Sequence, residues 1–403
     1  MKIDTDPKKI EEILTRSVVN VLPTKELLRN ALASGKKLKI FTGADATGSK
    51  LHLGHSTNFM ILEKFRQLGH EVIILFGDFT AKIGDPTDKG LARKPLTDKE
   101  VKQNLKTWEK QIRKVIKIGY FNNGARIVRN GDWLSKMSFS DVVKLAANFT
   151  VQQMIERDMF QKRMEEKKPI YLHEFLYPLM QGYDSVVLDV DLEIGGNDQT
   201  FNMLAGRTLQ KIYNNKEKFV LPTTLLINPK TGKKLMNKSE GNVVGLDDEP
   251  VDMFGKIMSL PDEAIIPIFI DCTYISLEDI EKIKSELAGG ANPKDLKVRL
   301  AKEIVTIYHS KEDADKAEEG FANTFKDGGL PEKIDEAKAT AGELLSEISV
   351  KAGVVKSKGE FRRLVLEGAV SIQETGEKIT DPNAVYKNTI TLKIGKRRFL
   401  KIN

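Results

Sequence analysis

The 403 residues carry a net charge of +7 (64 Lys+Arg against 57 Asp+Glu) and exceed what one hydrophobic core usually serves, so two or three domains are expected. Neither the first twenty residues nor any later stretch holds an apolar run of signal-peptide or membrane-spanning length. A single cysteine, Cys272, excludes a disulfide framework and a four-thiolate metal site, five histidines leave little for a metal cluster, and a reducing, cytoplasmic setting is the simplest expectation.

In chain order, KLKIFTGA (Lys37–Ala44) and EVIILFGDF (Glu71–Phe79) read as buried strands, with an apolar helical pattern over Ser56–Leu68 between them. Thr97 and Glu100 form a capping box, followed by Val101, Leu105, Trp108, Ile112 and Val115 at helical spacing, with Gly119 as the expected C-cap. RIVR (Arg126–Arg129) predicts a strand, Phe139–Asn148 and Val151–Glu166 predict helices, and Val186–Gly196 predicts another strand. Such alternation predicts a parallel sheet covered by helices, an α/β fold.

After Gly245 the pattern turns helical. Asn292-Pro293 supplies the preferred first residues of a helix whose stripe is Leu296, Leu300, Ile304 and Ile307. Lys326–Gly342 is charged, marked by Gly and Pro, and reads as a linker. From Ala341 to Asn403, 12 Lys+Arg stand against 7 Asp+Glu, a net +5 on under a sixth of the chain. A basic end-domain fits a polyanion partner. A solvated surface with a chance imbalance fits the same count.

Three segments carry chemistry. In FTGADATGSKLHLGH (Phe41–His55) a strand ends at Gly43-Ala44-Asp45, and His52-Leu53-Gly54-His55 opens a helix. Imidazoles three apart share a face beside N–H groups that favour anions. Gly54 leaves room for a flat ring, so the segment suits ATP; a surface helix with incidental histidines is the alternative. LLINPKTGKKLMNKSEGN (Leu225–Asn242) reads as a basic loop, either solvated or able to neutralise charge on a departing pyrophosphate. In LHEFLYPLMQGYDS (Leu172–Ser185), Tyr177, Gln181 and Asp184 would share one helical face, as substrate contacts or as the polar side of an amphipathic helix.

The first two segments, roughly 180 residues apart in this order, resemble the paired signatures of class I aminoacyl-tRNA synthetases: His52–His55 matches His-Ile-Gly-His, and Leu235–Ser239 matches Lys-Met-Ser-Lys-Ser. Leu235 and Asn237 depart from that pattern, and Lys234 stands one residue upstream of the missing lysine. The third segment resembles the Tyr-x-x-x-Gln-x-x-Asp signature of tyrosyl-tRNA synthetases of the bacterial type. By that resemblance, Tyr177, Gln181 and Asp85 hold the substrate ammonium, Asp184 accepts the phenol hydroxyl, and Thr80 lines the same pocket. The same resemblance implies that Asp45 and Thr47 touch substrate and phosphates and that Gly54 seats the adenine. It places His52, His55, Lys89, Arg93, Lys238 and Ser239 near the transition state, with Lys238 also on ATP. It gives the ribose to Gly196 and Asp198 and the adenylate to Gln199. Phe41 stands where some relatives carry a tyrosine that also touches the substrate hydroxyl.

The implied architecture is a Rossmann-like catalytic domain with a dimerisation insertion (1–245), a helical anticodon-side domain (246–325), the linker (326–342) and a small α+β ribosomal-protein-type RNA-binding domain (343–403). The implied reaction joins L-tyrosine and ATP, with Mg2+, into tyrosyl-adenylate and pyrophosphate, then passes the tyrosyl group to the terminal adenosine of tRNA(Tyr). A homodimer is expected, with the stripes around Trp108 and Met154–Met159 as candidate surfaces or as core. No protein-bound metal, tightly bound cofactor or membrane contact is expected. A tryptophanyl-type enzyme and a non-catalytic RNA-binding relative are the competing readings.

Overall fold

Strand β1 (Lys39–Asp45) buries Ile40, Phe41 and Thr42, and β2 (Glu71–Gly77) is buried without interruption from Val72, the pattern of strands covered on both faces. With β3 (Arg126–Arg129), β4 (Leu192–Gly196) and β5 (Phe219–Thr223) they form an all-parallel sheet in the order β3-β2-β1-β4-β5. The chain moves one way from β1 and the other way from β4. The crevice between the C-terminal ends of these two strands, Asp45 and Gly196, is therefore the topological switch point where open α/β sheets bind ligands.

This computed structural model describes residues 2–85, 96–119, 121, 123–236, 243–326, 335–395 and 398–403. The chain divides into two compact units, Met1–Ala314 and Asp315–Asn403. In the first, helices Pro250–Met258, Ile265–Cys272, Leu277–Ala288 and Pro293–Tyr308 follow the sheet. Asn292 caps the last of these through its side chain, and Leu296, Leu300 and Ile304 are buried. In the second unit, β7 (Val370–Ile372), β8 (Ile390–Ile394) and β9 (Arg398–Ile402) are antiparallel, and β6 (Asp335–Ala337) adds a parallel edge to β9. Helices Leu345–Lys351 and Lys358–Leu366 supply Leu345, Ile348, Phe361 and Val365 to its core. No helix among the described residues is long and apolar enough to cross a membrane.

Several sequence expectations shift. Asp335–Ala337, read as linker, is a strand, because β9 offers its backbone as a template and such pairing needs no apolar periodicity. The strand expected from Val186 starts at Leu192. Val186–Leu188 instead ends the Leu172–Leu188 helix, closed by Asp189 in the left-handed region, and packing of Val186 against Leu179 and Leu209 overrides its β preference. The capping-box helix runs Asp98–Ile112 with Thr97 as its cap, but it stops seven residues short of Gly119. Val151–Glu166 is two helices, Val151–Ile155 and Asp158–Glu165, broken where Arg157 turns extended and lays its guanidinium on Phe160 and Phe201. Trp108 is buried and donates to the Gly48 carbonyl (2.7 Å), so its stripe is core and offers no partner surface.

The feature that brings the site together is the crossing of helices Leu172–Leu188 and Thr200–Asn214. A Cβ on Gly182 would lie 2.9 Å from Leu209 Cδ1 and 3.1 Å from the Gly206 nitrogen. A Cβ on Gly206 would lie 2.5 Å from Lys218 Nζ and 2.8 Å from Ser185 Oγ. Glycine at both positions lets the backbones approach as no other residue could. Gly182→Ala is accordingly expected to destabilise the protein by about 1–3 kcal/mol, read as a lower thermal midpoint. Gly255→Ala, where a Cβ meets nothing within 4 Å on a helix, should be neutral or stabilising by up to about 1 kcal/mol.

Candidate active site

Asp45 closes β1 at the switch point, and both its oxygens are engaged. Thr80 Oγ1 donates to Oδ1 (2.6 Å) and the Tyr177 hydroxyl donates to Oδ2 (2.8 Å). Any Cβ on Gly77 would collide with Asp45 Oδ1 and Thr80 Oγ1, so the last residue of β2 must be glycine for the Asp45–Thr80 contact to exist. Burial, then the Asp45 charge, holds the Tyr177 phenol well above its ordinary pKa. Tyr177 is thus a neutral donor to Asp45 whose oxygen lone pairs face elsewhere.

One helical turn pair away, Asp184 is buried against two donors. Trp133 Nε1 reaches Oδ1 at 2.8 Å and Asn130 Nδ2 reaches Oδ2 at 3.2 Å. Asn130 also donates to Thr80 Oγ1 (2.9 Å), and its own oxygen accepts from the Phe79 amide (3.1 Å), which fixes which way the amide points. Burial pushes the Asp184 carboxyl well up, and the Trp133 and Asn130 hydrogen bonds oppose that shift. The site therefore presents a desolvated carboxyl group held by two fixed donors.

Gln181 lies between these two ends. Its Nε2 donates to Glu193 Oε1 (3.0 Å) and its Oε1 accepts from Asn202 Nδ2 (3.0 Å). Asn202 Nδ2 also lies 3.0 Å from Gln199 Oε1 and 3.4 Å from Asp85 Oδ2, while Gln199 Nε2 donates to Asp85 Oδ2 at 2.7 Å. Acceptor oxygens of Gln181, Gln199 and Asp85 thus converge. Beneath them, Glu193 Oε2 pairs with the fully buried Lys218, which also donates to Ser185 Oγ (2.8 Å).

The histidine segment opens the Leu53–Gln67 helix, with His52 as N-cap. The His52 amide donates to His55 Nδ1 (3.2 Å), and the two rings stand 3.9 Å apart. Gly54 borders the His52 imidazole, and Met236 Cγ lies 4.0 Å from where a Gly54 Cβ would be. Thr47 sits half-buried in the loop after β1. The Val244 carbonyl accepts from the Leu53 amide at 3.1 Å, so residues on both sides of 237–242 lie at the histidine turn. Leu235, in the place of the family's first lysine, is buried. Lys234 stays at the rim with its Nζ 3.0 Å from Asp198 Oδ2. Asp198 and Gln199 form a turn after Gly196, where a Cβ would lie 2.8 Å from Asp198 Oδ1. Lys89, Arg93, Lys238 and Ser239 lie outside the described residues.

The structure joins Asp45, Thr80, Tyr177 and Asp184 in one hydrogen-bonded chain through Asn130, and Asp85, Gln181 and Gln199 in another through Asn202. Asn130, Trp133, Asn202, Glu193 and Lys218 were missed by sequence reasoning. Two signals were available. Asn130-Gly131-Asp132-Trp133 directly follows β3, at the end of the sheet where ligands bind. Glu193 is a lone charge inside an apolar strand, which is tolerated only with a buried partner.

Residues 33–326 match the family model for class I tRNA synthetases (W and Y). The tyrosine–tRNA ligase of Carboxydothermus hydrogenoformans is 45% identical, with 98% of each chain covered. That of Moorella thermoacetica is 41% identical over 100% of this chain and 97% of its own. Among solved structures, a C-terminally truncated mitochondrial tyrosyl-tRNA synthetase from Aspergillus nidulans superposes with a TM-score of 0.67 at 23% identity, covering 79% of this chain and 94% of that one. The tyrosyl-tRNA synthetase of Archaeoglobus fulgidus, complexed with L-tyrosine, gives 0.60 at 23%, covering 78% and 100%. A parallel sheet with its polar residues gathered at the switch point and this likeness over nearly the whole length agree: the chain belongs to the class I tRNA synthetases, in the tyrosine–tRNA ligase family.

Proposed function

We propose that this site activates L-tyrosine with ATP and then charges tRNA(Tyr). The observation that carries the choice of amino acid is that one helix turns Tyr177 and Asp184 to the two ends of one polar network and Gln181 into a second, spacing that fits an ammonium by Tyr177 and Gln181 and a phenol hydroxyl at Asp184. A tyrosine carboxylate oxygen attacks the α-phosphorus of ATP, the bond to the bridging oxygen breaks, and pyrophosphate leaves with the electron pair. Positioning and positive charge do most of this work. His52 and His55 stand at a helix N-terminus, where N–H groups favour phosphate. Lys234, with Lys89, Arg93 and Lys238 by resemblance, supplies cations for the leaving group. Gly54, Gly196 and Asp198 take adenine and ribose, and Thr47 the phosphates. Among the described residues no group of three or more His, Cys, Asp or Glu is placed to hold a metal ion. Mg2+ in this reading arrives on the ATP phosphates.

The amino-acid assignment is tested by pyrophosphate exchange with each of the twenty amino acids. Exchange should depend on tyrosine, and a preference for tryptophan would replace the assignment. In the same assay Asp184→Asn should lower kcat/KM for tyrosine by about 10- to 100-fold, the effect of about 1–3 kcal/mol when a buried polar contact is lost, and should narrow the gap to phenylalanine. Unchanged tyrosine kinetics would remove Asp184 from hydroxyl recognition.

The second unit fits the tRNA backbone. Its helix Lys358–Leu366 exposes Lys358, Arg362 and Arg363, and the segment from Ala341 carries the net +5. Such contacts grip phosphates and weaken as salt rises. Truncation after Phe325 should leave pyrophosphate exchange nearly intact and sharply reduce tRNA charging. Equal charging by both forms would leave the unit a packing role.

The reading includes a cytoplasmic homodimer. Between β3 and β4, Phe139 (84% exposed) and Val143 (52%) lie four apart on helix Phe139–Ala146, and Val151 and Leu172 are also exposed. These residues replace the Trp108 stripe as the face offered to a second copy. Sedimentation should show a dimer at micromolar concentration and a larger monomer fraction for Phe139→Asp. A wild-type monomer would count against the assembly.

A further inference from the structure

A glutamine in a binding pocket can present either its oxygen or its NH2, and the neighbours decide which. For Gln181 the decision is made by Glu193. An ionised carboxylate only accepts, so Gln181 must turn Nε2 toward Glu193 Oε1 (3.0 Å) and its own Oε1 the other way. That oxygen joins Gln199 Oε1 and Asp85 Oδ2 around the Asn202 amide, at 3.0, 3.0 and 3.4 Å. Three acceptors around one NH2 make an oxygen-rich corner. A primary ammonium, with three N–H donors, matches it.

Glu193 is itself fixed by its neighbours. It sits on β4 in register with Phe41 of β1 and Val220 of β5, deep in the sheet, where a charged side chain needs a buried partner. Lys218, fully buried and paired with Glu193 Oε2, is that partner. Its ammonium also donates to Ser185 Oγ (2.8 Å) and lies 5.9 Å from the centroid of the Phe41 ring. Gly206 leaves the space that Nζ occupies, since a Cβ there would come within 2.5 Å of it. Buried ion pairs contribute little net stability compared with well-packed neutral groups, so the consequence to look for is orientation.

We propose that Glu193, paired with Lys218, is a positioning residue that fixes the amide of Gln181 oxygen-first and thereby makes the pocket selective for a cationic amino group. The inference rests on Gln181 being an ammonium contact, and its test separates the two. With Gln at 193 the residue can donate as well as accept, so Gln181 can turn its NH2 to the ligand against only the Asn202 hydrogen bond.

The experiment measures equilibrium dissociation constants of the full chain for L-tyrosine and for desaminotyrosine, the same molecule without its amino group. It compares wild type, Glu193→Gln, the double variant Glu193→Gln/Lys218→Met, and Gln181→Leu. Glu193→Gln should weaken tyrosine by about tenfold and desaminotyrosine by less than about twofold, with KM for ATP nearly unchanged. The double variant buries no unpaired charge and should regain thermal stability toward wild type. Its preference for tyrosine should stay reduced, because the amide polarity is still unset. A stable double variant with wild-type preference would overturn the proposal, as would equal weakening of both ligands by Glu193→Gln, which marks a purely structural role. If Gln181→Leu itself kept the wild-type preference, the assignment of Gln181 to the ammonium would fall instead.

Discussion

Four carboxylates, Asp45, Asp85, Asp184 and Glu193, are drawn into one crevice of a parallel sheet, and the rest of the site is arranged around what they need. A carboxylate taken out of water must find donors or give up its charge. Asp45 finds Thr80 and Tyr177, Asp184 finds Trp133 and Asn130, Asp85 finds Gln199 and Asn202, and Glu193 finds Gln181, Ser185 and Lys218. The donors are mostly neutral and rigidly held, so the crevice keeps an acceptor-rich character. In the proposed reading that character serves the ammonium of the amino acid, as a crevice lined with arginines would not.

Tyr177, Gln181, Ser185 and Asn202 come from two helices, Leu172–Leu188 and Thr200–Asn214, that cross at glycines. At Gly182 and Gly206 the backbones come so close that a methyl group has no room, and this places Gln181 beside Asn202 and Ser185 beside Lys218. The ion pair and the helix crossing therefore constrain one another. Widening the crossing would open Lys218 to water, and removing Lys218 would leave a void beneath Gly206.

How much the sequence revealed depends on how far each signal extends. Helical spacing put Tyr177, Gln181 and Asp184 on one face without reference to anything distant, and the Thr97 capping box named the first residue of its helix. Alternation of strand and helix was enough for the parallel sheet. The partners that make those residues work are long-range. Asn130 reaches Asp184 across 54 positions and Gln181 meets Asn202 across 21, and no local periodicity records such pairs. Boundaries failed for the same reason. Val186–Leu188 looks extended when read alone but is held helical by Leu179 and Leu209, and Asp335–Ala337 becomes a strand only because β9 lies beside it.

The departures at Leu235 and Asn237 concern side chains, while the placement of the segment rests on the backbone. Leu235 donates its amide to the Leu226 carbonyl, Leu53 donates to Val244, and Leu246 donates to Leu51 (3.0 Å). Asp248 clamps the Gly245 amide at 2.6 Å in a space that a Cβ at Gly245 would fill. None of these bonds reads the identity of residue 235. An inward-facing position at the edge of the core can therefore take leucine for the sake of burial, while the neighbouring residue, with its side chain outward, carries the charge to the rim. That is where Lys234 stands, 3.0 Å from Asp198. The backbone register thus leaves a lysine at the rim one residue before the motif's first position.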